Sequence, residues 1–376
     1  MMKAIFLIFH DFSEGSGISK KIRSQQEALR QCGLDIKLCF LTIDQDGYHK
    51  RMLEQEVLEN YGKGITAKIK KRFCYSELKN YILKNGVKFL YIRSSHNANP
   101  FLVHLIKKIK DAGVKSVMEI PTFPYDHEYK NVSASDRIRF YGDKLFRHQL
   151  SRHLCRIVTF SNDKIIFGTP TINLSNGIDF GQIKQKGPFP PSKNVIRLIG
   201  VAEIHFWHGF DRVLTGLAQY YGKPYTRKVL FEIVGDGVPE EMVSLKKIVA
   251  TNHLEEYVTF HGVKSGNELD RLFEQSHIGI GSLGRHRSCI THIKPLKNRE
   301  YAARGIPFVY SEIDDDFESM PYVMKAPADE TPLDIEKIIE FYDCGKFDPA
   351  AIRNTIADTL SWKVQMEKVF DTVMTM

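Results

Sequence analysis

The chain has 376 residues, 43% of them hydrophobic and 26% charged, which predicts two domains at roughly 150 residues each and excludes a largely disordered or collagen-like protein. No apolar run approaches the ~18 residues of a membrane span, and the first one, residues 4–9, is too short for a secretory leader, so the chain is expected in the cytoplasm. The net charge of +8 is uneven: residues 1–180 carry 29 Lys and Arg against 18 Asp and Glu, a net of +11, and residues 181–376 a net of −3. An anionic partner is therefore expected for the first half.

Residues 3–9 (KAIFLIF) read as a buried strand, followed by a loop and a helix over 18–31. Strands are predicted over 35–41 and 88–92, a helix over 100–112, and strands over 115–120, 156–160 and 171–174. Continuous apolar runs separated by helices indicate a parallel sheet covered on both faces. The pattern breaks at 184–193 (KQKGPFPPSK), whose three prolines and glycine suit a linker. The alternation then restarts: strand 195–202, helix 211–221, strand 228–234, helix 240–251, strand 257–260, and on to a strand at 308–310. The expected architecture is α/β, with two doubly wound Rossmann-like domains facing across a cleft. Their expected bounds are 1–183 and 194–358. Helices over 333–342 and 349–359 pack outside, and residues 359–376 form a last helix crossing back to the first domain. Six cysteines without a CxxC pair predict neither a disulfide framework nor a structural zinc site.

Three segments carry candidate chemistry. The first, residues 13–17 (SEGSG), places Gly15 and Gly17 between a strand and a helix, where backbone can approach an anion at the helix N-terminus. A flexible turn accounts for it equally, and the spacing is not that of a dinucleotide fingerprint. The second, residues 198–212, puts His208 and Arg212 four apart at the start of a helix, on one face and able to hold a diphosphate; a solvated helix start is the plainer reading. The third, residues 294–307 (KPLKNREYAARGIP), is the densest. Pro295 suits a first helical turn and Gly305 an end. Lys294 and Lys297 can meet phosphate near the N-terminus, and Glu300 can accept two ribose hydroxyls. A surface ion pair is the alternative.

This third segment resembles the donor-sugar helix of glycosyltransferase family 4, a retaining group of GT-B fold whose members read E-x7-E followed by A-M-A-x-G-x-P. Glu300 falls on the second glutamate, and Gly305 and Pro307 on the closing turn. Residues 175–179 (SNGID), 200–209, 234–237 (VGDG) and 258–262 (VTFHG) resemble further family motifs in the same order, and Trp362 opens a final helix like the family's. The resemblance implies a retaining transfer from a nucleotide-diphosphate sugar to a glycan or polyprenyl-diphosphate-linked acceptor, of the surface-polysaccharide type, with no other cofactor and no metal. The chain departs from the motif at His292, where the first glutamate would stand, and at Val201 or Ala202 and His208, where a phosphate-binding arginine and lysine would stand. Arg212 and Lys297, with Lys294 behind them, are then expected to meet the diphosphate.

The strand-end loop at 118–128 is rich in functional groups, and Glu119 and His127 are the candidates for orienting sugar or acceptor. Asp44 and Asp46 form a DxD of the kind that holds metal in another glycosyltransferase fold, but neighbouring turn residues make a solvated loop the expectation. Basic stretches at 68–72, 107–110 and 137–156, interleaved with apolar residues, predict peripheral attachment to the anionic inner face of a membrane. Other readings are a GT-B sugar-nucleotide epimerase and, in a different class, a basic nucleic-acid-binding protein. No nucleic-acid signature accompanies the charge, so no nucleic acid is expected as partner.

Overall fold

The structure, a computed structural model, describes residues 1–12, 17–126, 134–188 and 194–376. Two compact units emerge, Met1–Ser175 with Trp362–Met376, and Asn176–Ser361. The division falls at Ser175 rather than at 183. The segment that follows belongs with the second unit because Ile178, Phe180 and Ile183 pack into its apolar core.

The first unit comprises β1 (Met2–Leu7), α1 (Gly17–Gln31), β2 (Leu34–Ile43), β3 (His49–Leu53), β4 (Glu56–Gly62), α2 (Gly64–Phe73), α3 (Ser76–Lys84), β5 (Phe89–Arg93), α4 (Pro100–Asp111), β6 (Lys115–Ile120), α5 (Ala134–Ser151), β7 (Arg156–Thr159), β8 (Ile165–Ile166) and β9 (Thr169–Asn173). The strands form one sheet in the order β4-β3-β2-β1-β5-β6-β7-β9-β8. Its middle is parallel, and the continuous apolar run of β1, buried from Ala4 to Leu7, is what a strand covered on both faces requires. The edges depart from the expected all-parallel sheet. β3 and β4 form an antiparallel ribbon on β2, and β8 runs antiparallel to β9. At the turn into β3, Asp44 accepts from Tyr48 N at 2.8 Å and pairs with Lys50 at 2.6 Å, so the DxD residue serves the turn. Helix α4 starts where Asn99 caps it, accepting from the amides of Phe101 and Leu102, with Pro100 in the first turn.

The second unit comprises β10 (Val195–Val201), α6 (Phe210–Tyr221), β11 (Lys228–Val234), α7 (Pro239–Thr251), β12 (Val258–Phe260), α8 (Gly266–Gln275), β13 (Ile278–Ile280), α9 (Leu296–Arg304), β14 (Phe308–Tyr310), β15 (Val323–Lys325), α10 (Ile335–Cys344) and α11 (Pro349–Ala357). Its sheet is parallel throughout, in the order β12-β11-β10-β13-β14-β15. Glycines are demanded where backbones touch: a Cβ on Gly235, at φ 125°, would lie 1.8 Å from the Ala202 carbonyl oxygen, and one on Gly216 2.0 Å from that of Leu333. The last helix, α12 (Trp362–Met374), belongs to the first unit. Lys115 Nζ donates to the Val373 carbonyl at 2.8 Å there, and Gln365 accepts from Ser175 N at 2.9 Å.

Candidate functional site

In the second unit β10 and β13 are neighbours, yet the chain leaves β10 toward β11 on one side and later returns to β13 on the other. Loops after such strands diverge and leave a crevice at the carboxyl edge of the sheet. The loop after β10 runs into a short 3-10 turn, Phe206–His208, and the loop after β13 passes Gly281–Gly284 into another, Arg285–Ser288. The two loops are bonded to each other: Leu283 N donates to His208 O at 3.0 Å and Gly284 N to Trp207 O at 3.2 Å. Gly209, at φ 65°, is required because a Cβ would sit 2.8 Å from Gly284 N. Arg287 locks the arrangement, gripping Asp211 at 2.7 and 3.0 Å and donating to Phe206 O and Glu330.

Arg212 has a different place from the one expected. It is 2% exposed, and its guanidinium donates to the carbonyls of Thr331 (2.8 Å), Pro327 (3.0 Å) and Leu283. Three of its N–H groups go to main chain and its guanidinium lies 3.8 Å from Asp329, so it holds the β13 loop. The i, i+4 spacing placed it correctly on the helix; the three carbonyls that claim it come from distant segments.

His208, Lys297 and Arg285 do come together. Helix α9 begins after Pro295 with no side chain capping its N-terminus, which leaves amide donors toward the edge of the sheet. Lys297, in its first turn, has an Nζ that is out of solvent and without a hydrogen-bond partner among the described residues. Burial and the nearby Arg285 push this amine down to about 7, against the pull of Glu312. His208 is buried and its Nδ1 accepts from His205 N at 3.0 Å. Burial, Lys297 and Arg285 drive its titration far down, so the ring is neutral with its proton on Nε2, a donor. Lys294 lies 4.0 Å from Asp315, and its carbonyl accepts from Asn176 at 2.6 Å. Glu300 gives one oxygen to Arg304 at 3.0 Å. His292 is exposed and bonds Thr291 through Nδ1 at 3.0 Å.

Sequence reasoning missed Arg285, Ser282 and Glu312. Residues 279–284 (GIGSLG) carry G-x-G-x-x-G spacing that begins inside β13 and runs into the loop after it, the signal that could have drawn attention to them. Two of those glycines answer packing: a Cβ on Gly279 would meet the Tyr301 ring at 2.7 Å, and one on Gly281 the Tyr310 Cβ at 2.8 Å. They let α9 press on β13, and Tyr301 reaches across to donate to the Ile280 carbonyl at 2.9 Å.

In the first unit Glu119 is fully buried at the end of β6. Its carboxylate accepts from Gln25 and Tyr91 at 2.7 Å each, pairs with Arg93, and lies 3.4 Å from Lys21 Nζ. Burial alone would raise this acid, but Lys21, Arg93 and the two hydrogen bonds outweigh it and hold the carboxyl at about 2. This corrects the expectation of a free orienting group: Glu119 ties α1, β5 and β6 together. Gly17 opens α1 with open space where a Cβ would be and no positive φ, so no close approach demands a glycine there. Gly15 and His127 lie outside the described residues.

No family model matches the chain, and no curated protein sequence matches it. Solved structures do. Sucrose-phosphate synthase from Thermosynechococcus elongatus aligns over 100% of both chains at 12% identity with a TM-score of 0.71. A glycosyltransferase from Rickettsia africae aligns over 100% of this chain and 98% of its own, at 14% identity and TM-score 0.68. HepE of Anabaena, solved in complex with UDP, aligns over 100% of both at 14% identity and TM-score 0.62. With its two parallel-sheet units matched end to end, the chain has the GT-B fold of these glycosyltransferases.

Proposed function

We propose that the protein is a retaining glycosyltransferase that takes a sugar from a nucleotide-diphosphate donor and passes it to a glycan or polyprenyl-diphosphate-linked acceptor in surface-polysaccharide synthesis. The observation that carries the reading is the Lys297 Nζ, without a hydrogen-bond partner among the described residues, at the uncapped start of α9, beside neutral His208, at the switch point of the second sheet. As the sugar–phosphate bond breaks, negative charge builds on the leaving diphosphate. The Lys297 amine, protonated beside the diphosphate, an Nε2–H and helix amides stabilise that charge from fixed positions, and removing one such donor costs roughly 10²–10³ in rate. Lys294 stands behind Lys297. Glu300, with one oxygen on Arg304, has the other for ribose hydroxyls. Charge on the diphosphate is then met by protein cations, and transfer is expected to survive EDTA. Support comes from the fold shared with glycosyltransferases and from HepE, which was solved with UDP.

A membrane-facing role for the first unit is part of the same reading. In α2 only Ala67 is buried, and Ile65, Ile69 and Phe73 follow one another at i, i+4 and i+8 on an exposed stripe. Phe73 packs against Phe101, itself 54% exposed, at 5.6 Å between ring centroids. A hollow of about 400 Å³ lies beside them, lined by Ile69, Lys70, Phe73, Lys79 and Phe101 among others. Lys63, Lys68, Lys70 and Arg72 flank the stripe. Apolar insertion with basic flanks is how a helix lies on an anionic bilayer, at about 1 kcal/mol for each cation near the surface. Among the described residues no helix is long and apolar enough to cross a membrane. The test of the transferase reading is binding and turnover: isothermal titration with UDP, GDP and ADP, then release of the same diphosphate from its sugar conjugates in the presence of acceptor lipid. Absence of binding by all three diphosphates contradicts it.

A further inference from the structure

Next to Lys297 stands a second unspent group. Glu312, two residues beyond β14, is 2% exposed, and neither oxygen of its carboxylate has a hydrogen-bond partner among the described residues. Its main chain is clamped on both sides. Ser311 N donates to Ser282 O at 3.0 Å, Ile313 N to Thr291 O at 2.8 Å, and the Glu312 carbonyl accepts from Lys325 Nζ. The side chain is held inside by a fixed backbone, not by a partner of its own. Neighbouring acids are spent: Asp314 takes Arg299 and Asn298, and Glu318 takes Lys325 and Tyr310. The Ser282 hydroxyl and the Asn298 side-chain carbonyl oxygen are also buried without hydrogen-bond partners among the described residues.

A carboxylate and an ammonium, both out of water and with no ion pair joining them, are costly if both are charged. A structural salt bridge would close; this one stays open. The charges facing the two groups are known. Arg285 faces both, His208 faces Lys297, and Asp314 faces Glu312, with Lys325 on the Glu312 carbonyl. Burial pushes the Glu312 carboxyl up to about 7, partly offset by its own main-chain N–H and then by Arg285 and Lys297, and pushes the Lys297 amine down to about 7. Neither member carries its full charge at neutral pH.

We propose that Glu312 is a positioning residue acting through Lys297: in the empty site the two share one proton, and a second enters from solvent when a diphosphate binds. The proton balance is simple. The empty pair holds one proton, as acid and amine or as carboxylate and ammonium. The occupied pair holds two, with Lys297 as an ammonium donating to phosphate and Glu312 as a neutral acid. Binding then consumes a proton, and affinity falls by up to tenfold per pH unit once that proton is scarce. This inference rests on the donor reading above, which makes a diphosphate the ligand.

The experiment has a ligand-free arm and a ligand arm. In the first, the thermal stability of Glu312→Gln is followed against the unaltered protein from pH 4 to 8. An acid raised in the folded state holds its proton longer than in the unfolded chain. Its contribution is therefore present below about 4.5 and lost as pH rises through about 7. The Gln variant should gain on the parent across that window and then level; a constant difference overturns the proposal whatever the ligand. In the second arm, UDP, GDP and ADP are titrated by calorimetry between pH 7.5 and 9, where their phosphates, ionising at about 6, no longer change charge. The parent should lose affinity by roughly tenfold or more over that range. Glu312→Gln should bind more weakly than the parent throughout, its fall beginning at lower pH. Coincident profiles for parent and Glu312→Gln refute the coupling. If the ligand-free arm shows the expected window and no diphosphate binds at any pH, it is the donor reading that fails, and the coupling with it.

Discussion

Replacing Glu119 by alanine removes a carboxylate that pairs with both Lys21 and Arg93 in the interior of the first unit. Lys21 Nζ also sits 3.8 Å over the Phe160 ring and 5.4 Å from that of Trp362, so it has little water to turn to. The Glu119 carboxyl, held at about 2 against an ordinary 4.5, corresponds to about 3 kcal/mol of stability at neutral pH. Breaking a buried pair from one side costs 3–5 kcal/mol by general experience, and the two figures agree. For a domain of 150–250 residues that is a fall of about 10 °C in Tm. Glu119→Gln, which can still accept from Tyr91 or Gln25, should lose less than alanine. Urea unfolding followed by circular dichroism at pH 7 measures the loss. Because the acid is depressed in the fold, its contribution is complete above about 4.5 and disappears as pH falls toward 2, so parent and Ala variant should converge on acidification. A loss below 1 kcal/mol at pH 7, or a difference that does not shrink in acid, would refute the description of Glu119 as a structural anchor.

Arg212→Ala should unfold at lower temperature through the loss of three carbonyl contacts, by about 2–4 kcal/mol, while Lys297→Ala should stay folded and lose at least tenfold in affinity for the diphosphate that binds. Gly235→Ala should destabilise by more than 3 kcal/mol, since the added methyl meets the Ala202 carbonyl at 1.8 Å on a left-handed backbone; scanning calorimetry or soluble yield reads it. Ile69→Asp combined with Phe73→Asp should leave Tm unchanged and abolish co-flotation with anionic vesicles, while neutral vesicles should not bind the parent.

Most of the architecture was legible because buried parallel strands are short continuous apolar runs, and those at 115–120, 228–234 and 308–310 are strands with the same bounds in the structure. What escaped was the edge. β3 and β4 carry His49, Lys50, Arg51, Glu56 and Glu59, which hide the ribbon from any search for apolar runs; Lys50, Glu56 and Glu59 keep access to solvent, while His49 and Arg51 are buried and Arg51 donates to the Tyr61 hydroxyl at 2.8 Å. Of the candidate site, the α9 segment could be read because its proline, lysines and glycine mark a helix start and stop within a dozen residues. The distinction between a cation that offers its charge and one that has spent it could not. Arg212 and Lys297 look alike in sequence. One is claimed by the carbonyls of Leu283, Pro327 and Thr331, and the other has no hydrogen-bond partner among the described residues. Glu119 misled for the same reason: its partners Lys21, Gln25 and Arg93 come from two other elements. Glu312 went unseen since a single acid after a strand has no pattern until its neighbours are known to be paired elsewhere.

The most direct test is calorimetric titration of the full chain with UDP, GDP and ADP, in the parent and in Lys297→Ala. The account predicts that at least one of these diphosphates binds the parent and that the substitution weakens it tenfold or more with the fold intact. Equal affinity in the two proteins would contradict it, because the ammonium at the start of α9 would then have no part in holding the leaving group.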